Sequence, residues 1–365
     1  MIKRIVLTGG PGSGKTTVIE RIKKNYEEMG YKVIIVDETA THLINMGIRP
    51  FGENAIDMVD FQELVLKEQL EKEKLVDKSL EYMNNDKIII VYDRGALDNR
   101  AYVNNEEFEN VLSRFDNITI STLMEKYDLV IDLVSREDFY TLENNTARTE
   151  DVTTALELGN KTLKSWLGHE NIKIVLPKDD IEDKINEVLN IINLNLNEKQ
   201  IKRQEKYLID ITNTKLNDEI PHKEIIQTYL ESSPNVEKRL RKISFNGVVS
   251  YVFTTYYIND DGRKELVSEE CITEKMYNKL LEFADFKKKT INKKRYYFTN
   301  DGTYYYIDKF DFVDNVGILE VNIIKDEKLQ FPDNIVVLDK VTNDLEYHNS
   351  YIARKKDKKL VMKKW

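Results

Sequence analysis

A glycine-rich segment near the start of the chain has the composition and spacing of a phosphate-binding loop. Residues 9–16 read Gly-Gly-Pro-Gly-Ser-Gly-Lys-Thr, after the apolar run Ile5–Leu7 and before a segment with helical periodicity. Glycines in this setting let consecutive backbone N–H groups turn toward phosphate oxygens, and the helix N-terminus adds a favourable dipole. Lys15 is expected to reach the β and γ phosphates and the Thr16 hydroxyl to hold Mg²⁺. The residues predicted to bind ATP or GTP are Gly9, Gly10, Gly12, Ser13, Gly14, Lys15, Thr16 and Thr17.

Acids and arginines follow other predicted strands. Asp93 and Arg94 come directly after the apolar run Ile88–Tyr92, and Glu38 follows the second predicted strand. An acid there can hold Mg²⁺ or take a proton from an acceptor hydroxyl, and an arginine can bind phosphate through two nitrogens. The alternative for these residues is that they cap the helix that follows. The candidate catalytic residues are Lys15, Glu38, Asp93, Arg94 and Arg148, and the candidate metal ligands are Thr16 and Asp93.

Two patterns of secondary structure predict two domains. Up to about Leu196, short apolar runs alternate with helical periods, which is typical of a parallel sheet with helices on both faces. Ligands of such sheets bind at the carboxyl ends of the strands. The predicted strands are Ile2–Leu7, Lys32–Val36, Ile88–Tyr92, Leu129–Leu133 and Ile172–Val175, and the predicted helices are Lys15–Met29, Asn54–Met83, Glu106–Lys126, Thr153–Leu167 and Ile181–Ile192.

After residue 196 the segments become short, β-branched and rich in tyrosine, with turn signals between them. This pattern favours an antiparallel sheet or barrel of about eight strands, interrupted by one helix over Glu274–Ala284. The predicted organisation is an α/β domain over residues 1–196, a β domain over residues 197–355 and a basic tail over residues 356–365.

The composition limits the function classes. The net charge of −9 argues against general binding to DNA, and the single cysteine, Cys271, excludes an internal disulfide framework. No apolar run is long enough to span a bilayer, and the N-terminus does not resemble a signal peptide. A cytoplasmic location is therefore expected, with peripheral lipid contact through the basic tail as a further option.

The motifs of the first half together resemble one family. They are residues 9–17, the segment Asp37–Thr41, Tyr92–Gly95, Asn144–Glu150 and Trp166–His169. This set is similar to P-loop AAA-type ATPases close to the kinase domain of nicotinamide riboside kinases. The resemblance implies an Mg²⁺-dependent NTPase or phosphotransferase. In kinase-like folds an arginine after the fourth strand lies on a lid and neutralises charge on the transferred group, which suggests that role for Arg148; an exposed surface arginine is the alternative.

The second half resembles the CYTH group, the triphosphate-tunnel barrels of thiamine triphosphatases. Lys206–Ile209, Gln227–Leu230, Asp308–Phe310 and Gly317–Glu320 follow in that family's order. The resemblance implies an eight-stranded barrel whose inward cations bind a phosphorylated small molecule or polyphosphate, whereas exposed basic residues on strands are the alternative. The implied ligand-binding residues are the cations Lys206, Arg239, Arg241, Lys293 and Arg295, with Glu265, Glu269, Asp308 and Glu320 as candidate metal ligands.

The second half departs from that family where catalysis needs carboxylates. Lys202 and Gln204 stand where active members have two glutamates, and Asn322 replaces a further acid. Mg²⁺ prefers several oxygen ligands at close range, so these changes weaken the metal site. The sequence therefore favours a phosphate-binding pocket over an active triphosphatase. Three hypotheses stay open: a P-loop phosphotransferase or NTPase, a nucleotide-switched binding protein for polyphosphate or phosphoinositide headgroups, and a triphosphatase in the barrel.

Overall fold

The computed structural model describes residues 1–116, 118–135, 152–196, 203–214, 216–217, 219–245, 248–259, 264–323 and 329–354. The chain divides into two compact units, Met1–Gln200 and Ile201–Trp365. Among the described helices, none is both long and apolar enough to cross a membrane.

The first unit is built on a parallel sheet of five described strands. The strand order is β2-β3-β1-β4-β5, so the strand before the glycine-rich loop is central. Apolar side chains fill both faces of the central strands because helices cover the sheet on both sides, and Ile88–Val91 are at most 2% exposed. The strands are β1 (Ile2–Thr8), β2 (Lys32–Val36), β3 (Ile88–Asp93), β4 (Leu129–Leu133) and β5 (Ile172–Val175).

The helices of this unit confirm the predicted alternation but not every boundary. The predicted helix over residues 106–126 is two short helices, because Thr119 caps a new helix by accepting a hydrogen bond from the backbone N–H of Thr122. A short helix after β2 and a 3₁₀ helix, Ala96–Tyr102, are not among the predicted helices with stated bounds, since elements this short show little periodicity. The α-helices are α1 (Lys15–Glu28), α2 (Thr39–Asn45), α3 (Met58–Leu80), α4 (Asn105–Ser113), α5 (Ile120–Met124), α6 (Val152–Trp166) and α7 (Ile181–Leu196).

The second unit is an antiparallel sheet of nine described strands. They are β6 (Arg203–Asp210), β7 (His222–Leu230), β8 (Val236–Phe245), β9 (Val248–Ile258), β10 (Lys264–Ile272), β11 (Ile291–Asn300), β12 (Thr303–Phe310), β13 (Val316–Ile323) and β14 (Val336–Lys340). Their order is β10-β9-β8-β7-β11-β12-β13-β6-β14. The helices α8 (Glu274–Leu280) and α9 (Asn349–Arg354) accompany the sheet.

The prediction of a closed eight-stranded barrel is wrong. A barrel requires every strand to have a partner on each side. Here β10 pairs with β9 and β14 pairs with β6, and the described strands show no pairing between the two edges. The unpredicted strand β14 is short and partly exposed, so it lacks the alternating pattern by which the other strands were found.

Candidate functional site

The glycine-rich loop occupies the turn between β1 and α1. Gly9, Gly12 and Gly14 have φ angles of 131°, 75° and 86°, a region that side chains disfavour. A Cβ at Gly9 would lie 2.2 Å from the carbonyl oxygen of Leu133, so only glycine fits beside β4. The loop thus has the backbone conformation that the motif predicted, with Thr16 in the first turn of α1.

Lys15 lies across this loop. Its Nζ donates to the carbonyl oxygens of Gly9 and Gly10, each at 3.1 Å, and to the Ser13 hydroxyl at 3.2 Å. Burial and, to a smaller extent, the nearby charge of Arg94 lower the pKa of Lys15 to about 8, although the neighbouring acids partly oppose this shift. A γ-phosphate would supply the anionic partner that these neutral oxygens do not.

Two residues distant in the sequence, Lys184 and Ser135, donate hydrogen bonds to backbone carbonyls of the loop. Lys184 of α7 is buried, and its Nζ donates to the carbonyl oxygens of Ser13 at 3.0 Å and Val134 at 2.8 Å. The Ser135 hydroxyl donates to the carbonyl of Pro11 at 2.9 Å. The sequence did not reveal these contacts, because a single lysine in a helix and a serine after a strand carry no pattern of their own.

The acids after β2 and β3 lie beside the loop but differ in their partners. Glu38 accepts from Arg94 Nε at 2.5 Å and from the Thr41 hydroxyl at 2.7 Å. Burial alone would raise the pKa of Glu38, but the charges of Arg94 and Lys15 outweigh it and leave the pKa below its usual value. Glu38 does stand at the N-cap of α2, yet its side chain makes no capping bond.

Asp93 has no such partners. Its Oδ1 is buried and has no hydrogen-bond partner among the described residues, and burial raises the pKa of Asp93 to about 6. An unpartnered buried carboxylate oxygen is costly unless a ligand occupies it. Together with the Thr16 hydroxyl, Asp93 therefore fits the donor set that Mg²⁺ takes next to phosphates, one carboxylate with further oxygens.

Arg94 contacts two acids, Glu38 and Asp98. Its φ is 69°, and its Nη1 lies 3.3 Å from Asp98 Oδ1. Asp98 is 2% exposed and also accepts from the Thr8 hydroxyl, from the Gly95 N–H at 2.8 Å and from Trp166 Nε1 at 3.1 Å. Trp166, which belongs to the motif Trp166–His169, is therefore a hydrogen-bond donor to the acid that holds Arg94.

A cavity of about 720 Å³ connects these groups. Its lining includes residues of the glycine-rich loop, of α2, of α3 and of the 3₁₀ helix, together with Glu38, Asp93 and Arg94. This volume is in the usual range for small-molecule sites. Arg148, the predicted lid arginine, lies outside the described residues.

In the second unit, the five predicted cations lie on one face of the sheet. Cross-strand pairing places Arg239 opposite Tyr229, Arg241 opposite Gln227, Arg295 opposite Asp308, and Lys206 opposite Glu320. Paired residues of antiparallel strands project to the same face. Lys293 lies two residues from Arg295 and so shares this face, which we call the cationic face.

Carboxylates already contact most of these cations. Lys206 Nζ lies 3.1 Å from Glu320, Arg241 Nη2 lies 2.7 Å from Glu269, and Asp308 binds both Lys293 at 2.5 Å and Arg295 at 2.6 Å. Burial would raise the pKa of Asp308, but the charges of Arg295 and Lys293 hold it well below its usual range. Burial lowers the pKa of Lys293 to about 8.

Glu265 does not join this face. It pairs with Tyr257, whereas Glu269 pairs with Thr254, and the register shifts between Leu266 and Ser268. Four residues apart, the two glutamates would normally project to the same face, but the irregularity moves one of them to the other side. Gln204 and Asn322, which stand where acids were expected, pair directly with one another. The described residues contain no cluster of three or more acids, histidines or cysteines that could hold a metal ion.

The first unit has the features of a P-loop nucleotide-binding domain. It has a parallel sheet, a glycine-rich loop after the central strand β1, a lysine across that loop, and a carboxylate, Asp93, at the end of the neighbouring strand β3. Residues 4–184 match the family model described as AAA domain, which covers nearly all of this unit and slightly less than half of the chain. These residues are therefore similar to an AAA domain. No curated protein matches the chain.

Solved structures similar to the chain cover a minority of it. The inorganic triphosphatase NE1496 is 20% identical, with 42% of this chain and 93% of that chain covered and a TM-score of 0.32. A second structure, of the hypothetical protein NE1496, is 23% identical with the same TM-score and covers 42% of this chain and 97% of that chain. The PH1819 protein from Pyrococcus horikoshii OT3 is 14% identical, with 33% and 80% covered and a TM-score of 0.24.

Proposed function

We propose that the first unit binds ATP or GTP together with Mg²⁺ and transfers the γ-phosphoryl group to a hydroxyl group of a small acceptor. The observation that supports transfer over simple hydrolysis is the extent of the cavity. Besides the glycine-rich loop, its lining includes Phe61, Gln62 and Tyr102, and the acids Glu38 and Asp93. A site that only hydrolysed a nucleotide would need room for a water molecule there and no more.

The residues divide the work in the following way. The loop N–H groups and Lys15 bind the β and γ phosphates, and Thr16 and Asp93 would hold Mg²⁺, which when bound neutralises charge on those phosphates. Glu38 is ionised at neutral pH and orients the acceptor hydroxyl. As the acceptor oxygen forms its bond to the γ-phosphorus, the bond from that phosphorus to the β-bridging oxygen breaks, the nucleoside diphosphate leaves, and the acceptor proton passes to Glu38.

Arg94 and Arg148 are proposed to stabilise charge on the transferred group. Two nitrogens of Arg94 donate to Glu38 and Asp98, and these bonds fix the direction of its guanidinium group. Preorganised cations of this kind act on charge that develops in the transition state.

Phosphorus NMR of the products from ATP, GTP and tripolyphosphate, each with Mg²⁺, tests the proposal. The Lys15→Ala variant should lose nucleotide turnover, whereas Lys74→Ala, which removes an exposed lysine paired with Glu71 on α3, should keep it. Nucleotide turnover that survives in Lys15→Ala would show that the proposed site is wrong.

A second candidate function, binding of a phosphorylated ligand or polyphosphate, is proposed for the cationic face. Its five cations contact three carboxylates, Glu269, Asp308 and Glu320, which leaves positive charge in excess. Moreover, the buried Nε of Arg239 has no partner among the described residues. A polyanion would neutralise the excess positive charge and accept a hydrogen bond from Arg239 Nε.

Calorimetric titration with tripolyphosphate tests this second function. The double substitution Arg239→Glu and Arg241→Glu should abolish binding, whereas Lys238→Glu, on the opposite face of β8, should not. Unchanged binding in the double variant would place the anion elsewhere. Tripolyphosphate cleavage that survives Lys15→Ala but is lost in Glu320→Gln would instead establish the third hypothesis, an active triphosphatase in this unit.

A further inference from the structure

The C-terminal part of the second unit packs against one end of the cationic face. Ile352 and Ala353 of α9 are fully buried in an apolar cluster that also contains Leu208. Leu208 lies two residues after Lys206 on β6, so both side chains project to the same face of the sheet. The segment 341–354 therefore packs on the face that carries the cations.

A sixth cation, Lys264 of β10, lies on the same face. Leu266 pairs with Tyr256 of β9, which in turn pairs with Glu237 of β8. Glu237 lies two residues before Arg239, so this row of paired residues projects to the cationic face. Lys264 lies two residues before Leu266 and shares that orientation. Its Nζ donates to both carboxylate oxygens of Glu237, at 2.7 and 2.8 Å.

His348 lies in the C-terminal segment, close to two of these cations. Thr342 and Ser350 flank it in the sequence, and the Thr342 hydroxyl accepts from the Lys206 N–H at 3.0 Å. The Ser350 hydroxyl accepts from Lys264 Nζ at 3.2 Å. Nε2 of His348 is buried and has no hydrogen-bond partner in the part of the chain that the structure describes. Buried polar atoms almost always have a partner, so this nitrogen is a candidate contact for a ligand on the cationic face.

The charges around His348 favour a neutral ring. Burial is the largest effect on the pKa of His348 and lowers it, and the charges of Lys206 and Lys264 lower it further. A backbone hydrogen bond with Thr342 and the charge of Glu320 oppose this shift without cancelling it. The imidazole is therefore mostly neutral at about pH 7. An anion among these cations would reverse the sign of the local charge, and a nearby negative charge favours the protonated ring.

We infer that a polyphosphate bound on the cationic face also contacts His348, and that it binds together with a proton, which His348 takes from solvent. The imidazole then becomes an imidazolium whose Nε2–H donates to an oxygen of the anion. No bond of the anion is made or broken. The inference rests on the second candidate function, because it adds His348 to the site proposed there.

The direction of the pH dependence follows from this protonation. Above its lowered pKa, His348 is neutral in the free protein, and the anion raises that pKa. Between the two pKa values, binding takes up a proton, so the affinity rises as the pH falls through this window. Below both values the ring is already protonated, and the affinity no longer changes through His348.

Other titratable groups of the face keep their charge in the range where histidine titrates. Burial lowers the pKa of Lys293 only to about 8, so this amine is charged at about pH 6.5. Burial would raise the pKa of Asp308 and of Glu320, but neighbouring cations hold both below their usual values, so both carboxylates are ionised. Proton uptake at about pH 6.5 therefore reports on His348.

Proton uptake is measured by calorimetric titration with tripolyphosphate at about pH 6.5, in two buffers that differ in ionisation enthalpy. All proteins are full-length and carry Lys15→Ala, which removes the lysine of the phosphate loop from the competition for the probe. This parent protein should take up more protons per bound anion than its His348→Gln derivative, by a difference of about one or a large fraction of one. Glutamine keeps a hydrogen-bonding amide but cannot take up a proton. The protonation of the probe itself cancels in the comparison.

His222→Gln is the matched control. Gln227 of β7 pairs with Arg241 of the cationic face, and His222, an odd number of positions along the same strand, projects to the opposite face. His222→Gln should therefore take up as many protons as the parent protein. As the pH is lowered from about 8 to about 6, the affinity of the parent should gain about three- to tenfold over that of His348→Gln. Equal proton uptake by the parent and His348→Gln would overturn the inference.

Cyclic trimetaphosphate keeps the inference testable if His348→Gln does not fold. The acid groups of this trianion are strong, so any proton taken up at about pH 6.5 belongs to the protein. The parent protein should still take up protons when it binds this probe. Binding without proton uptake would reject the role of His348.

The inference and the second candidate function fail in different ways. Binding that is lost in the Arg239→Glu and Arg241→Glu double variant, with equal proton uptake in the parent and His348→Gln, would retain the anion site and reject His348 as part of it. If neither polyphosphate binds, or if the double variant binds unchanged, the anion site itself is rejected and the inference with it.

Discussion

Replacing Trp166 by phenylalanine tests how much the contacts of Trp166 with Asp98 and Tyr127 stabilise the first unit. The Trp166 side chain is fully buried, and its indole N–H donates to Asp98 Oδ2 at 3.1 Å. Its ring also packs edge-on against Tyr127, with the centroids 5.5 Å apart. Phenylalanine keeps an aromatic ring in this position but cannot donate a hydrogen bond and fills less space.

The expected cost follows from these two losses. A hydrogen bond to a charged group contributes about 1.5–3 kcal/mol, and the carboxylate of Asp98 is such a group. The smaller ring leaves a void of roughly methyl size, at about 1 kcal/mol. The Gly95 N–H still donates to Asp98 Oδ2 at 2.8 Å, so that oxygen keeps a partner. The free energy of unfolding should therefore fall by about 2.5–4 kcal/mol.

Urea denaturation followed by far-UV circular dichroism measures this change. Because the chain has two compact units, the transition that shifts in Trp166→Phe is assigned to the first unit. Tyr82→Phe, which removes a hydroxyl from a side chain that is 75% exposed, is the aromatic control and should change stability by less than about 0.5 kcal/mol. A loss in Trp166→Phe no larger than that of the control would refute the role of the indole N–H.

Three further predictions concern the same unit. Burial raises the pKa of Asp93 to about 6, so protonation below that pH removes the metal-binding carboxylate. The value of kcat/KM measured with Mg²⁺ should therefore fall with a one-proton slope as the pH drops through about 6. A flat profile from about pH 5 to 7 would contradict this. Lys184→Met removes the donor to the Ser13 carbonyl and should weaken nucleotide binding by about tenfold in a calorimetric titration, and unchanged affinity would show that the contact is dispensable. Gly95→Ala places a Cβ 2.7 Å from the Trp166 ring and should lower the free energy of unfolding, measured by urea denaturation, by about 1–3 kcal/mol. In a Trp166→Phe background the loss should be much smaller, and additive losses would argue against that clash.

Candidate residues that follow strand ends could be placed together from the sequence. The phosphate loop, Glu38 and Asp93 each stand at or just after the end of a buried apolar run, and parallel strands bring their carboxyl ends to one edge of the sheet. Placing these groups together therefore needs only the alternation of strands and helices, which is a local pattern.

Contacts between distant segments could not be predicted in the same way. Asp98 accepts hydrogen bonds from Thr8 and Trp166, which are 90 and 68 residues away in the sequence. Lys184 donates to Ser13, which is 171 residues away. Ser13 and Trp166 do lie in motifs, but no motif indicates which distant residue each contacts, because their proximity depends on strand order and helix packing.

In the second unit, prediction from the sequence is limited by strand register. The alternating pattern assigns side chains to the two faces of the sheet only where the register is regular. The spacing of two between Arg239 and Arg241 places both on one face, and their cross-strand partners agree with this. The same rule assigns Glu265 and Glu269 to one face, yet the shift between Leu266 and Ser268 separates them. Of these two candidate acids only Glu269 contacts the cations, so a single irregular position in β10 changes the charge balance of the cationic face in favour of an anionic ligand.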